Sequence, residues 1–151
     1  MNYLNHLPEG WYGVSKKGVA VKQRVLKLLN EAKKKFPVKS PLKHTSKAII
    51  VPHAGWDYSG LCAASGYLSF LNTELKPNLE TKLVILLSTY HAGENGVFTF
   101  SDSQLELSDG RKVKVDTEII QNLNFPFFKV SNSAGIQGEH SMEIQMPFVK
   151  Y

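Results

Sequence analysis

The sequence AIIVPHAGWDYSG, residues 48–60, decides how the rest of the chain is interpreted. Its first four residues are apolar and include two isoleucines, which is typical of a short strand buried on both faces. Pro52 has no backbone N–H to donate to a strand ladder, so the predicted strand ends there. His53 therefore follows the carboxyl end of a core strand, where ligands bind in open α/β sheets. We predict that His53 belongs to a functional site.

A second apolar run, residues 82–87, predicts another buried strand, and residues 59–71 between the two runs are predicted to form a helix. Strand, helix and strand make a βαβ unit, whose two strands are parallel with a right-handed crossover. His91 follows the second strand as His53 follows the first. Because parallel strands end at one edge, we expect the two imidazoles within one or two strand spacings of about 4.8 Å. Neutral imidazole binds Fe, Zn, Cu and Ni, so the pair predicts a metal site. The alternative is that each histidine only makes structural hydrogen bonds.

A third group of polar residues lies near the end of the sequence, in GEHSMEIQMPF, residues 138–148. His140 and Glu143 are three residues apart at a predicted helix start and would share a face. The carboxylate could then orient the imidazole or bind a ligand itself, which makes both residues candidate catalytic groups. Glu139 is a candidate pocket residue. The alternative is structural, because acidic residues stabilise helix N-termini and Ser141 or Glu139 can serve as a cap.

The other predicted elements are a surface helix over 18–36, a β-hairpin over 97–115, a short helix over 117–124 and a strand over 127–130. Apolar positions at helical spacing support the first. Asp109-Gly110 is a type I′ turn signal for the hairpin, and Asp116 is a predicted N-cap. Two neighbouring aromatic residues near the start either cover the core or line a pocket. The candidate pocket residues besides Glu139 are Trp11, Tyr12, Gly55, Tyr58 and Tyr90.

Composition limits the class of protein. The 151 residues predict a single domain, and 42% hydrophobic with 21% charged residues is ordinary for a globular chain. The net charge of +5 comes largely from basic residues on or beside the helix predicted over 18–36, which favours a solvated helix face over a nucleic-acid site. A single cysteine excludes an internal disulfide and fits a reducing compartment. With no apolar run near the ~20 residues of a membrane span and no secretion signal, we expect a cytoplasmic protein without a membrane partner.

Three blocks of the sequence resemble the Memo protein family. They are AIIVPHAGWDYSGLCAASGY at 48–67, LVILLSTYHAG at 83–93 and GEHSMEIQMPF at 138–148, and the GWY at 10–12 is similar to the start of the family. The resemblance implies an α/β fold in which helices flank a parallel core sheet, an αβ sandwich related to the class III extradiol dioxygenases. Two histidines and a carboxylate hold non-haem Fe(II) in those enzymes. In Memo proteins two histidines match His53 and His91, and a cysteine replaces the carboxylate.

The resemblance also implies functions. Memo proteins are linked to reduced iron or copper, to redox signalling and to docking of phosphotyrosine peptides in the cytoplasm. We therefore expect a Memo-like protein whose crevice binds iron or copper and takes part in redox or signalling roles. One alternative is a non-catalytic module that binds a phosphopeptide or signalling protein in the same crevice. Another is a non-haem Fe(II) dioxygenase, for which the catalytic residues of this chain are an incomplete set.

The sequence also departs from the family pattern. Family members are nearly twice as long, so residues 1–151 are interpreted as the N-terminal half of a longer domain, with the third metal ligand expected from the other half. Cys62 does not match the position of the family cysteine, and Tyr90 and Gln145 stand where the family usually has histidine. An incomplete sheet exposes strand edges and apolar surface. We therefore expect a homo-oligomer or a missing C-terminal half.

Overall fold

Helices and strands are mixed along the chain, as the α/β prediction requires. The computed structural model describes residues 8–14, 18–37, 48–71, 83–91, 96–100, 103–106, 112–123, 128–131 and 139–150. The helices are α1 (Gly18–Lys35), α2 (Leu61–Leu71), α3 (Thr117–Asn122) and α4 (Met146–Lys150), with a 3-10 turn at Glu9–Trp11 and a π-helical turn at Trp56–Gly60. The strands are β1 (Val97–Phe100), β2 (Gln104–Glu106), β3 (Lys112–Lys114) and β4 (Phe128–Ser131).

Helix α1 provides one wall of the main core. Its apolar residues recur every three or four positions, so they form one stripe along the helix. That stripe packs against α2, whose small Ala63 and Ala64 permit a close approach, and against Trp56. The buried residues of the stripe are Val21, Val25, Leu28 and Ala32. The sequence prediction of a helix over 18–36 is confirmed to within one residue.

Two small sheets lie in the middle of the chain. β2 and β3 are antiparallel, with Gln104 opposite Lys114, which confirms part of the predicted hairpin. Its predicted turn at Asp109-Gly110 lies outside the described residues. β1 instead pairs with β4 in parallel, with Val97 opposite Phe128, so residues 97–100 are not an arm of the hairpin. The predicted cap of α3 is confirmed, because Asp116 Oδ1 accepts a hydrogen bond of 3.1 Å from the Ile119 N–H.

The two buried strands predicted before His53 and His91 are not formed. Neither residues 48–51 nor residues 83–87 belong to a sheet, and parallel pairing within the described part of the chain is between β1 and β4. Ile50 is fully exposed, and Ile85 and Leu87 are 73% and 85% exposed. An apolar run is buried as a strand only where other strands cover it, and the described residues supply no such neighbours. The described residues therefore do not confirm the predicted βαβ unit.

Gly13 has a backbone conformation that a side chain would strain. Its φ is +64°, and an added Cβ would lie 2.5 Å from Oδ1 of Asp57. Asp57 is itself held by Arg24, whose Nη2 lies 2.6 Å from the same oxygen. Since a left-handed conformation costs an ordinary L-residue roughly 1–2 kcal/mol, Gly13→Ala is expected to lower the free energy of unfolding by about that amount. Urea denaturation measures the change.

Gly10→Ala is the matched control for that substitution. No atom lies within 4 Å of its added Cβ, and its φ is not positive. We expect its free energy of unfolding to stay within about 0.5 kcal/mol of the wild-type value. Equal destabilisation by the two alanines would show that the conformation of Gly13 is not a constraint.

Candidate metal centre

Three histidines from separate parts of the chain converge on one point. The ring centroids of His53 and His91 are 5.2 Å apart, and His140 lies 5.7 Å from His53 and 4.5 Å from His91. Taking one nitrogen from each residue, the three potential ligand atoms all lie within 4.8 Å of one another. His53 and His91 thus lie side by side, as the sequence predicts. His140, predicted as a catalytic residue, completes the group as a third possible ligand.

Hydrogen bonds from one turn hold the two histidine-bearing segments together. Ser141 Oγ donates to the carbonyl of Thr89 at 2.7 Å, and Gln145 Nε2 donates to the carbonyl of Pro52 at 2.8 Å. These carbonyls lie two residues before His91 and directly before His53. The side chains of Ser141 and Gln145 therefore hold the two segments together, in place of the predicted pairing between strands. Sequence reasoning missed both contacts, since each partner lies far away along the chain.

Glu139 contacts His91 and also Ser141, the first residue of the turn 141–145. One carboxylate oxygen accepts the backbone N–H of His91 at 2.6 Å, and the two oxygens lie 2.9 and 3.0 Å from Nδ1 of the same residue. Oε1 also accepts the Ser141 N–H at 2.7 Å. Burial acts to raise the pKa of Glu139, but hydrogen bonds from Ser141 and His91 outweigh it and lower that pKa to about 2. The side chain is therefore an ionised hydrogen-bond acceptor at neutral pH.

Trp11 and Gly55 border the histidines on one side. The indole of Trp11 lies 4.4 Å from the His140 ring, centroid to centroid. Gly55 fits closely beneath it, because an added Cβ there would lie 3.4 Å from the Trp11 carbonyl oxygen. The side chain of His91 is 44% exposed and that of His140 is 21% exposed. The cluster is thus partly covered by an aromatic ring and accessible to solvent beside His91.

Tyr12 and Glu143 lie in the core. Both are essentially buried, and the Tyr12 hydroxyl donates to Oε1 of Glu143 at 2.7 Å. Residues 141–145 form hydrogen-bonded turns and α4 begins only at Met146, so the predicted helix start at Glu139 was wrong. The argument that His140 and Glu143 share a helix face therefore does not apply. A catalytic role for His140 or Glu143 stays a prediction.

Tyr58 and Tyr90 are the remaining predicted pocket residues. Tyr58 is 92% exposed in the π-helical turn. Tyr90 packs on Phe98 at 4.6 Å, in a second apolar cluster around Leu105 and Met146. Neither observation tests a role at the histidines, so a pocket role for Tyr58 and Tyr90 stays a prediction.

The three imidazoles fit a divalent transition metal. Two nitrogens on one tetrahedral ion are roughly 3.4 Å apart, because each bond is about 2.0–2.1 Å long. The nitrogens here lie within 4.8 Å of each other, so a closure of at most about 1.4 Å brings them to the spacing of two nitrogens on one ion. Imidazole donors suit Zn, Cu, Fe and Ni and disfavour Mg and Ca.

Fold and site together define the class, an α/β protein with three histidines arranged to hold a metal ion. The family model described as Memo-like protein matches residues 16–151, and the chain therefore belongs to the Memo-like family. This confirms the resemblance seen in the sequence.

Several curated relatives are similar to the chain. A MEMO1 family protein of Saccharolobus solfataricus is 35% identical over 112 residues, which are 72% of this chain and 37% of the relative. The MEMO1 family protein MHO1 of Saccharomyces cerevisiae is 32% identical over 76% of this chain and 36% of its own length. One from Methanobrevibacter smithii is 31% identical over 68% and 35%. The matched region thus spans little more than a third of each relative.

Among the described residues, no helix combines the length and the apolar character that crossing a membrane requires.

Proposed function

We propose that this Memo-like protein binds a redox-active transition metal, iron or copper, through His53, His91 and His140. The observation that carries the proposal is the convergence of the three imidazoles, with their potential ligand atoms within 4.8 Å. The sequence pattern pointed to two of these ligands and expected the third from another part of a longer chain. Here His140 supplies a third nitrogen from within the chain.

The surroundings of the histidines support this role. Metal-binding histidines commonly donate their second ring N–H to a carboxylate or carbonyl, and Glu139 stands in that position toward His91. Trp11 packs against the ring of His140, with the two ring centroids 4.4 Å apart. Bound iron or copper would supply one-electron chemistry, while the exposed side of His91 leaves a path for a small ligand or reductant. On this basis we propose a redox or signalling role in the cytoplasm.

Isothermal titration calorimetry with Fe(II) under anaerobic conditions, and with copper, tests the proposal. We expect each of the variants His53→Ala, His91→Ala and His140→Ala to bind metal at least about tenfold more weakly. Mutation of residues that only hydrogen-bond to metal ligands already lowers metal affinity by about 10–100-fold. His44→Ala is the matched control, because it removes one of the 5 histidines that is not one of the three proposed ligands.

Metal uptake that is equal in all four variants would overturn the site. A loss confined to His53→Ala and His91→Ala would leave the two-histidine site and remove His140 from the ligand set. Quenching of Trp11 fluorescence on metal addition gives an independent readout, because its ring lies 4.4 Å from that of His140.

The alternative, a crevice that docks a phosphopeptide, has less support. It needs backbone N–H groups free to contact the phosphate. The His91 N–H instead donates to Glu139, and the carboxylate would repel a second anion beside it. Binding of a phosphotyrosine peptide that persists in excess chelator would favour this alternative over metal binding. A ring-cleaving dioxygenase activity stays a prediction.

We also propose that the chain is the N-terminal part of a longer Memo-like domain. The exposed apolar residues Ile50, Leu83, Val84, Ile85 and Leu87 support this, because in an αβ sandwich such segments are core strands with neighbours on both sides. Strands from the remainder of a Memo-like domain, or from a second copy of the chain, would complete the parallel sheet.

A further inference from the structure

We infer that Glu139 is a positioning residue that fixes the tautomer of His91, an inference that rests on the proposed metal site. Its carboxylate holds the proton on Nδ1 of His91. The Nε2 nitrogen is then left unprotonated, with its lone pair available to a metal ion.

The contacts of Glu139 make it a rigid acceptor. Its side chain is only 6% exposed, and one oxygen is anchored by the Ser141 N–H at 2.7 Å. The other accepts the His91 backbone N–H at 2.6 Å and lies 2.9 Å from Nδ1 of the same residue. Because the carboxylate is held by two backbone donors from different segments, it cannot rotate away from the imidazole without breaking both.

Tautomer choice follows from hydrogen-bond chemistry. A neutral imidazole carries its proton on one nitrogen and a lone pair on the other. The carboxylate of Glu139 already accepts hydrogen bonds from two backbone N–H groups and so acts as an acceptor, and the ring nitrogen that faces it is therefore the protonated one. For His91 that nitrogen is Nδ1. Which nitrogen of a histidine binds a metal is set in this way by the partner of the other nitrogen.

A second hydrogen bond between the segments that carry Glu139 and His91 offers a control that separates positioning of the imidazole from general stabilisation of the two segments. The Ser141 hydroxyl donates to the Thr89 carbonyl at 2.7 Å. Ser141→Ala removes this hydrogen bond and the side-chain contact of Ser141 with Glu139. The Ser141 backbone N–H still donates to Oε1 of Glu139, and Glu139 remains the partner of Nδ1 of His91. Glu139→Gln keeps the size of the side chain but replaces an oxygen with a donor amide and removes the charge.

The experiment is long-range ¹H–¹⁵N NMR of the metal-free protein at alkaline pH, with the His91 ring signals assigned from their absence in His91→Ala. We expect the Nδ1–H form of His91 in the wild type and in Ser141→Ala, and a mixture or the Nε2–H form in Glu139→Gln. Calorimetry should then show metal affinity about 10–100-fold weaker in Glu139→Gln.

An Nε2–H tautomer in the wild type would overturn the inference and needs no variant to be seen. Retention of the Nδ1–H form and of full affinity in Glu139→Gln would overturn it as well. Because the tautomer is read without metal, a wild-type protein in the Nδ1–H form that binds no metal would contradict the proposed function and leave the assignment of Glu139 to the imidazole intact.

Discussion

Replacing Trp56 with alanine is expected to lower the free energy of unfolding by about 3–5 kcal/mol, the usual cost of removing a buried aromatic side chain. Trp56 is 2% exposed, and its ring contacts those of Tyr12 at 5.1 Å and Phe148 at 5.2 Å. Its Nε1–H also donates to the Ile144 carbonyl at 3.1 Å, so the variant leaves both a cavity and a carbonyl without its donor. Urea unfolding followed by circular dichroism measures the loss.

Tyr58→Ala is the control, because it removes an aromatic ring from the same π-helical turn at a position that is 92% exposed. Its effect should stay within about 0.5 kcal/mol. Domains of this kind are stable by about 5–15 kcal/mol in total, so Trp56→Ala removes a large share and Tyr58→Ala almost none. Comparable losses in both variants would mean that the core is not centred on Trp56.

Metal binding is expected to raise the free energy of unfolding, and this is the second large effect that we predict. A ligand that binds only the native state at 100 times its Kd adds about 2.7 kcal/mol. For a chain of this size that corresponds to a rise in Tm of roughly 5–10 °C. The three histidines come from segments far apart in sequence, so an unfolded chain has no equivalent site. Thermal unfolding with and without Fe(II) or copper measures the shift.

The variant that combines His53→Ala, His91→Ala and His140→Ala should show no such rise, while His44→Ala should rise as the wild type does. Excess chelator should return the wild-type Tm to its metal-free value. A rise of the same size in the triple variant would place the stabilising ion elsewhere on the chain.

Local chemistry made several elements predictable from the sequence. The apolar stripe of α1 and the Asp116 cap depend on residues three or four positions apart, and both are confirmed. The antiparallel pairing of β2 and β3 follows from alternation around a turn signal. The approach of His53 and His91 was also expected, since each follows an apolar run.

Contacts between distant residues were not predictable in the same way. An apolar run shows that a segment favours burial, yet it does not say whether neighbours are present, and residues 83–87 remain largely exposed. His140 was paired with Glu143 by helical spacing, whereas the turns after Glu139 direct it toward His53 and His91. Gln145 and Ser141 contact carbonyls 93 and 52 residues away, and no local pattern marks them.

The largely exposed segment 83–87 is expected to favour association of the protein at high concentration. Its five apolar residues, LVILL, include no charge, glycine or proline, the composition from which cross-β fibrils are built. Identical segments of different molecules can therefore stack on one another at high concentration, with each added chain templating the next. His91 lies only four residues after this segment, so stacking between molecules would compete with the contacts that place His91 beside His53 and His140. The same five residues would then limit both the protein concentration that can be used and the stability of the histidine cluster.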